Sequence, residues 1–118
     1  MTVQSFSFGQ IKIDNKIFKE DIIIINKKGK SKILLRNKNP SRRFKSQFGH
    51  TPLTVYENID WDCDTIIVGT GVYGSMPVTN EFKKEVALRK KKLHIFKTQD
   101  AINYINMDNS CIILHISC

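Results

Sequence analysis

The tripeptide Gly69-Thr70-Gly71 has the residue types of a ligand-binding turn. It follows an apolar, β-branched run at residues 65–68, which is typical of a strand buried on both faces. Open α/β sheets bind ligands at the carboxyl ends of such strands, and glycines let backbone amides approach an anion closely. The turn is therefore either one wall of an anion pocket or a tight turn with a purely structural role.

The same turn lacks the context of the known nucleotide-binding loops. The Gly-Lys-Ser/Thr ending of a Walker loop is absent. A dinucleotide loop needs the next helix to begin at once, whereas Pro77 delays that helix by several residues. We expect no nucleotide cofactor at this turn.

His115 and Cys118 could in principle ligate a metal or form a nucleophilic pair. Residues 111–117 are expected to form a strand, in which alternate side chains point to opposite faces. His115 then shares a face with Ser117, while Cys118 points the other way. A metal site or a Cys-His pair made by these two residues alone is therefore disfavoured.

Two further polar residues complete the candidate set. One interpretation is that His115 meets His50 or Asp21 across the sheet, which would place a polar cluster in a pocket. The interpretation that we favour is a buried histidine with satisfied hydrogen bonds, and an Asp21 that accepts backbone hydrogen bonds at the start of a strand. The candidate residues of a pocket or partner surface are Gly69, Thr70, Gly71, Asp21, His50 and His115.

Other catalytic or metal-binding chemistry has little support in the sequence. Cys63, Cys111 and Cys118 are odd in number and lack Cys-x-x-Cys spacing, which argues against a disulfide framework and a zinc site. No paired carboxylates suited to acid–base catalysis stand out, and the chain has only four Glu. We expect no metal, no cofactor and no catalytic activity.

The net charge of +8 favours anionic partners. Lys, Ile and Asn all have A/T-rich codons, so genome composition is the alternative explanation of this charge. The basic stretches lie at residues 27–32, 36–45 and 89–97, and aromatic residues interleave only loosely with them. Single-stranded nucleic acid is usually bound by aromatic platforms beside the charges, so nucleic-acid binding is a subordinate hypothesis.

The first half of the chain reads as strands followed by a long connection. Residues 6–25 predict an antiparallel meander, with a turn at Asp14-Asn15 and a bulge or bend at Gly9, where the apolar alternation slips. A short strand follows at residues 33–35. We expect an irregular connection over residues 36–51, and a helical turn within residues 52–61.

The second half alternates strands and helices. The predicted strands at residues 65–68, 93–96 and 111–117 are separated by helices capped by Thr79 and Thr98. Right-handed crossovers turn this order into a buried, largely parallel sheet. The predicted fold class is α/β, a three-layer single domain over residues 1–118, with a mixed, largely parallel central sheet flanked by helices and an N-terminal antiparallel meander.

No membrane insertion is expected. The longest apolar run, residues 22–25, is far shorter than the roughly 20 residues that cross a bilayer. The N-terminus lacks the pattern of a secretory signal or a mitochondrial presequence. We expect a cytoplasmic protein, with a mitochondrial location as the alternative for a eukaryotic source.

Over residues 5–118 the chain resembles the small α/β family of the respiratory complex I assembly factor three and the adipogenesis-associated domain-containing protein. The order and spacing of short motifs carry this resemblance. They are Phe8-Gly9, Ile13-Asp14-Asn15, Asp21-Ile22-Ile23, Gly49-His50, Ile67-Val68-Gly69-Thr70-Gly71, Thr98-Gln99-Asp100-Ala101 and Leu114-His115-Ile116-Ser117-Cys118. The resemblance implies a three-layer domain without an established reaction, whose members assist complex I assembly or regulate through protein partners.

The chain departs from the family pattern at three places. Asn15 replaces a turn glycine, which is tolerable because Asn also adopts the left-handed conformation. Ile105 replaces a tyrosine, so any role of that hydroxyl is absent. The link from Asn106 to Cys111 is short, which trims a surface loop.

These observations lead to three functional hypotheses. The leading one is a non-enzymatic binding or assembly-factor domain, which contacts a protein partner through residues 69–75 and 36–50. A small-molecule or anion site at the glycine turn is the alternative, with His50, Asp21 and His115 as polar lining. Nucleic-acid binding through the basic stretches is the second alternative.

Overall fold

The computed structural model describes residues 1–118 and contains two β-sheets with short helices. The strands are β1 Val3–Ser7, β2 Gln10–Ile13, β3 Lys16–Phe18, β4 Ile22–Lys27, β5 Lys30–Leu35, β6 Thr65–Thr70, β7 Lys92–Phe96 and β8 Ser110–His115. The helices are α1 Lys45–Phe48, α2 Asn80–Leu88 and α3 Thr98–Ala101, with 3-10 turns at Asn39–Phe44 and Ile102–Tyr104. None of these helices has the length and apolar character needed to cross a bilayer.

The central sheet has the strand order β5-β4-β8-β6-β7. Strand β6 is parallel to both β7 and β8, as expected for strands joined by helical crossovers. Strand β4 pairs antiparallel with β8 and with β5. The predicted α/β class and the shared sheet of the three C-terminal strands are confirmed. The sheet is mixed because β4, which the sequence placed in the meander, inserts beside β8.

The N-terminal meander is a separate three-stranded sheet, β1-β2-β3. The turn at Asp14 and Asn15 is confirmed, and both residues have positive φ, 48° and 67°, as a tight two-residue hairpin requires. The predicted bulge at Gly9 is wrong. Gly9, with φ 79°, lies in the turn between β1 and β2, and the register of that pair shifts between Val3 and Ser5 instead.

Apolar side chains cover both faces of the central sheet and make the structure three-layered. Successive strand residues alternate between the two faces, so one isoleucine-rich sequence supplies two cores. One face packs against Phe82 and Val86 of α2; its buried residues include Ile23, Ile25, Ile66, Val68, Cys111 and Ile113. The other packs against the meander and Ala101; its buried residues include Ile11, Ile13, Ile22, Ile24, Ile67, Ile112 and Leu114.

The connecting segments differ from the sequence prediction in two places. Residues 36–51 are not irregular throughout, because a 3-10 turn and α1 occupy Asn39–Phe44 and Lys45–Phe48. Residues 52–61 contain no helical turn, and Leu53 instead forms a parallel bridge with Val78.

The predicted helix caps had different outcomes. Thr79 caps α2 as predicted, since its hydroxyl accepts from the Phe82 amide at 3.2 Å. Thr98 is not a cap. It is the first residue of α3, Lys97 holds the cap position, and the Thr98 hydroxyl bonds to neighbouring strands instead.

Replacement of Gly71 by alanine should destabilise the fold. A Cβ atom at Gly71 would overlap the carbonyl carbon of Cys118, whereas one at Gly29 would have no atom within 4 Å. Both glycines have positive φ, 104° and 73°, so Gly29→Ala controls for backbone strain. We expect Gly71→Ala to lower the free energy of unfolding by about 1–3 kcal/mol more than Gly29→Ala. Urea unfolding measures the difference, and equal losses would contradict the close contact.

Candidate functional site

Arg36 lies at the centre of a buried ionic network. Its Nε and Nη2 donate to the two carboxylate oxygens of Glu57 at 2.6 and 2.8 Å, and its Nη1 donates to Asp21 Oδ2 at 2.8 Å. Nη2 also donates to the Pro52 carbonyl at 3.0 Å. All three charged residues are buried, and Ser41 donates a further hydrogen bond to Glu57. The guanidinium therefore joins three separate parts of the chain.

The β4–β5 hairpin brings Asp21 and Arg36 together. Ile22 pairs with Leu35 at the end of the hairpin, and the Arg36 amide donates to the Asp21 carbonyl at 2.9 Å. The two charged side chains thus flank the last rung of the ladder. Asp21 was among the predicted site residues and Arg36 was not, since nothing in a basic stretch of sequence indicates which of its arginines is buried.

His115 meets Asp21, one of the two partners that the sequence allowed across the sheet. Its Nδ1 lies 2.8 Å from Asp21 Oδ2, and the Ile116 amide donates to Asp21 Oδ1 at 3.0 Å. Because the carboxylate accepts, Nδ1 carries a proton, and Nε2 lies 3.2 Å from the Ser117 hydroxyl oxygen. Ser117 was not predicted as a site residue, although strand alternation had placed it on the face of His115.

The surroundings of Asp21 hold its pKa well below the usual carboxyl range. Burial acts to raise this pKa, but the hydrogen bond and charge of His115 and the charges of Lys38 and Arg36 outweigh it. The Lys38 ammonium lies 3.3 Å from Asp21 Oδ2. Asp21 therefore stays ionised and serves as the common acceptor of the cluster.

His50 does not join this cluster. It is exposed, and its Nδ1 lies 3.7 Å from the Cys118 thiol. No group of three His, Cys, Asp or Glu side chains is arranged to hold a metal ion. The His50–Cys118 contact instead places the end of β8 against the segment that follows α1.

The Gly69-Thr70-Gly71 segment is buried, and its first two residues are the last two of β6. Thr98 Oγ1 accepts from the Gly71 amide at 2.8 Å and donates to the His115 carbonyl, and a Cβ at Gly69 would lie 2.8 Å from that oxygen. These glycines permit close packing within the protein. Gly74 completes a G-x-G-x-x-G spacing, but α2 begins only at Asn80, so no helix N-terminus faces the turn.

An aromatic surface lies beyond this buried turn. Phe8 and Tyr73 are 58% and 70% exposed, and their ring centroids lie 6.3 Å apart. Phe44 and Tyr56 stack at 6.2 Å with the Arg43 guanidinium over both rings. A cavity of about 180 Å³ lies beside this stack.

Cys118 joins the parts of this surface. It contacts His50 through its thiol, and its carbonyl accepts from the Tyr73 amide at 3.3 Å. We call the exposed set the aromatic face; its residues are Phe8, Phe48, His50, Tyr56 and Tyr73. The surface combines residues from both segments that the sequence hypothesis assigned to a partner.

A second concave region, the polar cleft, lies beside the ionic network. Its volume is about 320 Å³. Its lining residues are Gly9, Lys19, Glu20, Asp21, Arg36, Asn37, Lys38, Asn39, Arg42, Ile116 and Ser117. The sequence predicted an anion pocket at the glycine turn, whereas this cleft lies at the start of β4 and after β5.

The other basic stretches lie at the opposite end of the sheet. Lys27 and Lys30 close the β4–β5 hairpin, and Lys92 begins β7 beside Thr65. Acidic residues interrupt this end, since Lys27 pairs with Asp60 at 2.6 Å and with Asp62 at 3.4 Å. The basic hairpin is therefore partly neutralised.

Known structures share this arrangement. The conserved hypothetical protein PH1505 from Pyrococcus horikoshii OT3 is 30% identical, with a TM-score of 0.82 over 100% of both chains. A protein named MT938 is 18% identical, with a TM-score of 0.65 over 98% of this chain and 97% of its own. An outer membrane protein from Bartonella henselae is 12% identical, with a TM-score of 0.63 over 98% and 94%. The last two show the fold alone, and no family model or curated protein matches the chain.

Replacement of Asp21 by asparagine should reduce stability and its dependence on pH. Loss of this charge leaves the buried Arg36 with one carboxylate, and we expect a cost of about 3 kcal/mol at pH 7. Because the folded-state pKa of Asp21 is lowered, its stabilisation is present above a pH of about 4 and is lost as the pH falls. The difference in the free energy of unfolding between wild type and Asp21→Asn should therefore become smaller as the pH falls from 5 to 2.

Urea unfolding at several pH values tests this expectation. Asp62→Asn is the matched control, because the Asp62 side chain is 96% exposed. We expect that control to change the free energy of unfolding by less than about 0.5 kcal/mol. A constant gap between wild type and Asp21→Asn across this pH range would contradict the ionised state of Asp21.

Proposed function

The chain belongs to the same family as the conserved hypothetical protein PH1505 from Pyrococcus horikoshii, and we propose that it is a non-enzymatic binding domain that contacts a protein partner through the aromatic face. The observation that carries this proposal is the exposure of adjacent aromatic rings, Phe8 and Tyr73. Clustered exposed aromatic side chains are frequent energetic centres of protein interfaces.

The aromatic face is supported by fixed backbone contacts. The amides of Val72, Tyr73 and Ser75 all donate to carbonyls of residues 117–118. Arg43 packs over Phe44 and Tyr56 and restrains the second half of the face. Such ordering before binding lowers the entropy cost of association and favours a specific partner.

The charges around the aromatic face favour an acidic partner. Arg43 and Lys45 lie in the segment before His50, and Lys97 packs beside Gly74 next to Tyr73. The net charge of the chain is +8. We therefore propose a partner with acidic residues around an apolar centre, since complementary charge speeds encounter and selects partners.

The resemblance to the complex I assembly factor family supports a more specific proposal. In it, the acidic partner is a protein of a respiratory complex or of its assembly, and the chain works in the cytoplasm, or in mitochondria for a eukaryotic source. The names of the structural relatives specify no partner.

The alternatives have weaker support. Asp21, His115 and Ser117 lie in the order of an acid–histidine–serine relay, but Arg36, Lys38 and the Ile116 amide also bind the Asp21 carboxylate. We interpret this relay as a structural and ligand-orienting element. Nucleic-acid binding has less support because Asp60 and Asp62 neutralise the basic hairpin.

Serine substitution of the exposed aromatic pair should abolish partner recovery. We expect Phe8→Ser/Tyr73→Ser to reduce capture from cells of the source organism by at least about tenfold, because each hot-spot ring contributes about 2 kcal/mol. Leu88→Ser is the control, because Leu88 is 77% exposed and lies on α2 at the other end of the sheet. Quantitative mass spectrometry measures recovery, and purified components then give the affinity and its salt dependence.

Two results would contradict the proposal. Equal recovery by wild type and the double variant would exclude the aromatic face as the interface. Recovery of a partner unrelated to respiratory complexes would remove the proposed respiratory role, while leaving the interface intact.

A further inference from the structure

The polar cleft carries an excess of positive charge. Lys19, Arg36, Lys38 and Arg42 line it, against the carboxylates of Glu20 and Asp21. Arg36 and Lys38 are already paired with Asp21. The two remaining cations of the lining, Lys19 and Arg42, together balance a dianionic group, which at neutral pH is the charge of a phosphate monoester.

Two of the cations are free to bind a ligand. Lys19 and Arg42 are exposed and form no ion pair within 4 Å. They belong to different elements, the connection after β3 and the 3-10 turn Asn39–Phe44, and they meet at this cleft. Arg binds phosphate oxygens through parallel N–H donors, and Lys binds them as a compact charge.

The cleft also presents acceptors for ligand hydroxyl groups. The Ser117 hydroxyl lines the cleft and lies 3.2 Å from His115 Nε2. A hydroxyl oxygen has two lone pairs, so Ser117 can accept a hydrogen bond from a ligand hydroxyl. The unpaired Glu20 carboxylate is a second acceptor.

The lining limits what the rest of the ligand can be. Ile116 is its one hydrophobic residue, and no aromatic ring is present on which a nucleobase could stack. A volume of about 320 Å³ suits a small ligand. The ligand is therefore polar throughout.

We propose that the polar cleft binds a small phosphorylated polyol, with its phosphate on Lys19 and Arg42 and a hydroxyl donating to Ser117. The cleft shares no lining residue with the aromatic face, so the site is independent of the proposed partner interface. The buried Asp21–His115 pair acts as a positioning element for Ser117.

Calorimetric titration of the full chain with glycerol 3-phosphate, inorganic phosphate and adenosine monophosphate tests the proposal. We expect Lys19→Gln/Arg42→Gln to weaken binding of glycerol 3-phosphate and inorganic phosphate by about a hundredfold, because two charge-assisted contacts are lost. Lys83→Gln/Lys84→Gln on α2 removes the same charge from exposed positions remote in sequence from the cleft. It should leave the affinity unchanged.

Ser117→Ala separates the hydroxyl contact from the phosphate contact. We expect this substitution to weaken the binding of glycerol 3-phosphate by about fivefold, which is the effect of one neutral hydrogen bond. The affinity for inorganic phosphate should not change. Thermal unfolding without ligand checks that each variant folds.

Three outcomes would overturn the proposal. They are equal weakening by the two double variants, an unchanged affinity for glycerol 3-phosphate in Ser117→Ala, and tighter binding of adenosine monophosphate than of glycerol 3-phosphate.

Discussion

The buried guanidinium of Arg36 joins the β4–β5 hairpin, the turn that carries Glu57 and, through Asp21, the end of β8. The network therefore ties the Glu57 turn to two neighbouring parts of the central sheet. A planar group with several donors can satisfy two carboxylates and a carbonyl at once, which an ammonium cannot do with the same geometry. The positions of both the polar cleft and the aromatic face follow from this junction.

We infer that such a network contributes more to selecting a single packed arrangement of the chain than to the net free energy of folding. Removal of charges from water is costly, and the attraction between them offsets that cost only when the geometry is good and the remaining donors are satisfied. Here no buried side-chain nitrogen or oxygen lacks a partner. Residues 52 and 57 are held by directional contacts to Arg36, in addition to the apolar packing of Leu53 in the core.

The sequence was informative where a regular period or a local rule decides the structure. Alternation along residues 111–117 assigned each side chain to the correct face, and Thr79 was recognised as a cap. Contacts between segments that are distant in the sequence could not be predicted from it. Thr98 has the sequence context of a cap, yet its hydroxyl bridges β6 and β8 because tertiary packing places it between the Gly71 amide and the His115 carbonyl.

The role of the Gly69-Thr70-Gly71 segment also depends on a tertiary contact that the local sequence does not predict. Two glycines after a buried strand are compatible with either a ligand or another backbone approaching closely, and in this fold the approaching backbone is that of Cys118. Arg36 and Lys38 stand in one basic stretch, but the first is buried and the second is partly exposed. Local sequence does not distinguish them, because burial depends on the carboxylates that the hairpin and the Glu57 turn supply.

Residues 116–118 show how one short segment serves three environments. Ile116 packs in the core, Ser117 lines the polar cleft, and Cys118 contacts the aromatic face through His50. The amides of residues 72, 73 and 75 fix the backbone of this segment by donating hydrogen bonds to its carbonyls. Gly71 lies against the same backbone, and a side chain at this position would displace it. A substitution of Gly71 would therefore disturb both the polar cleft and the aromatic face.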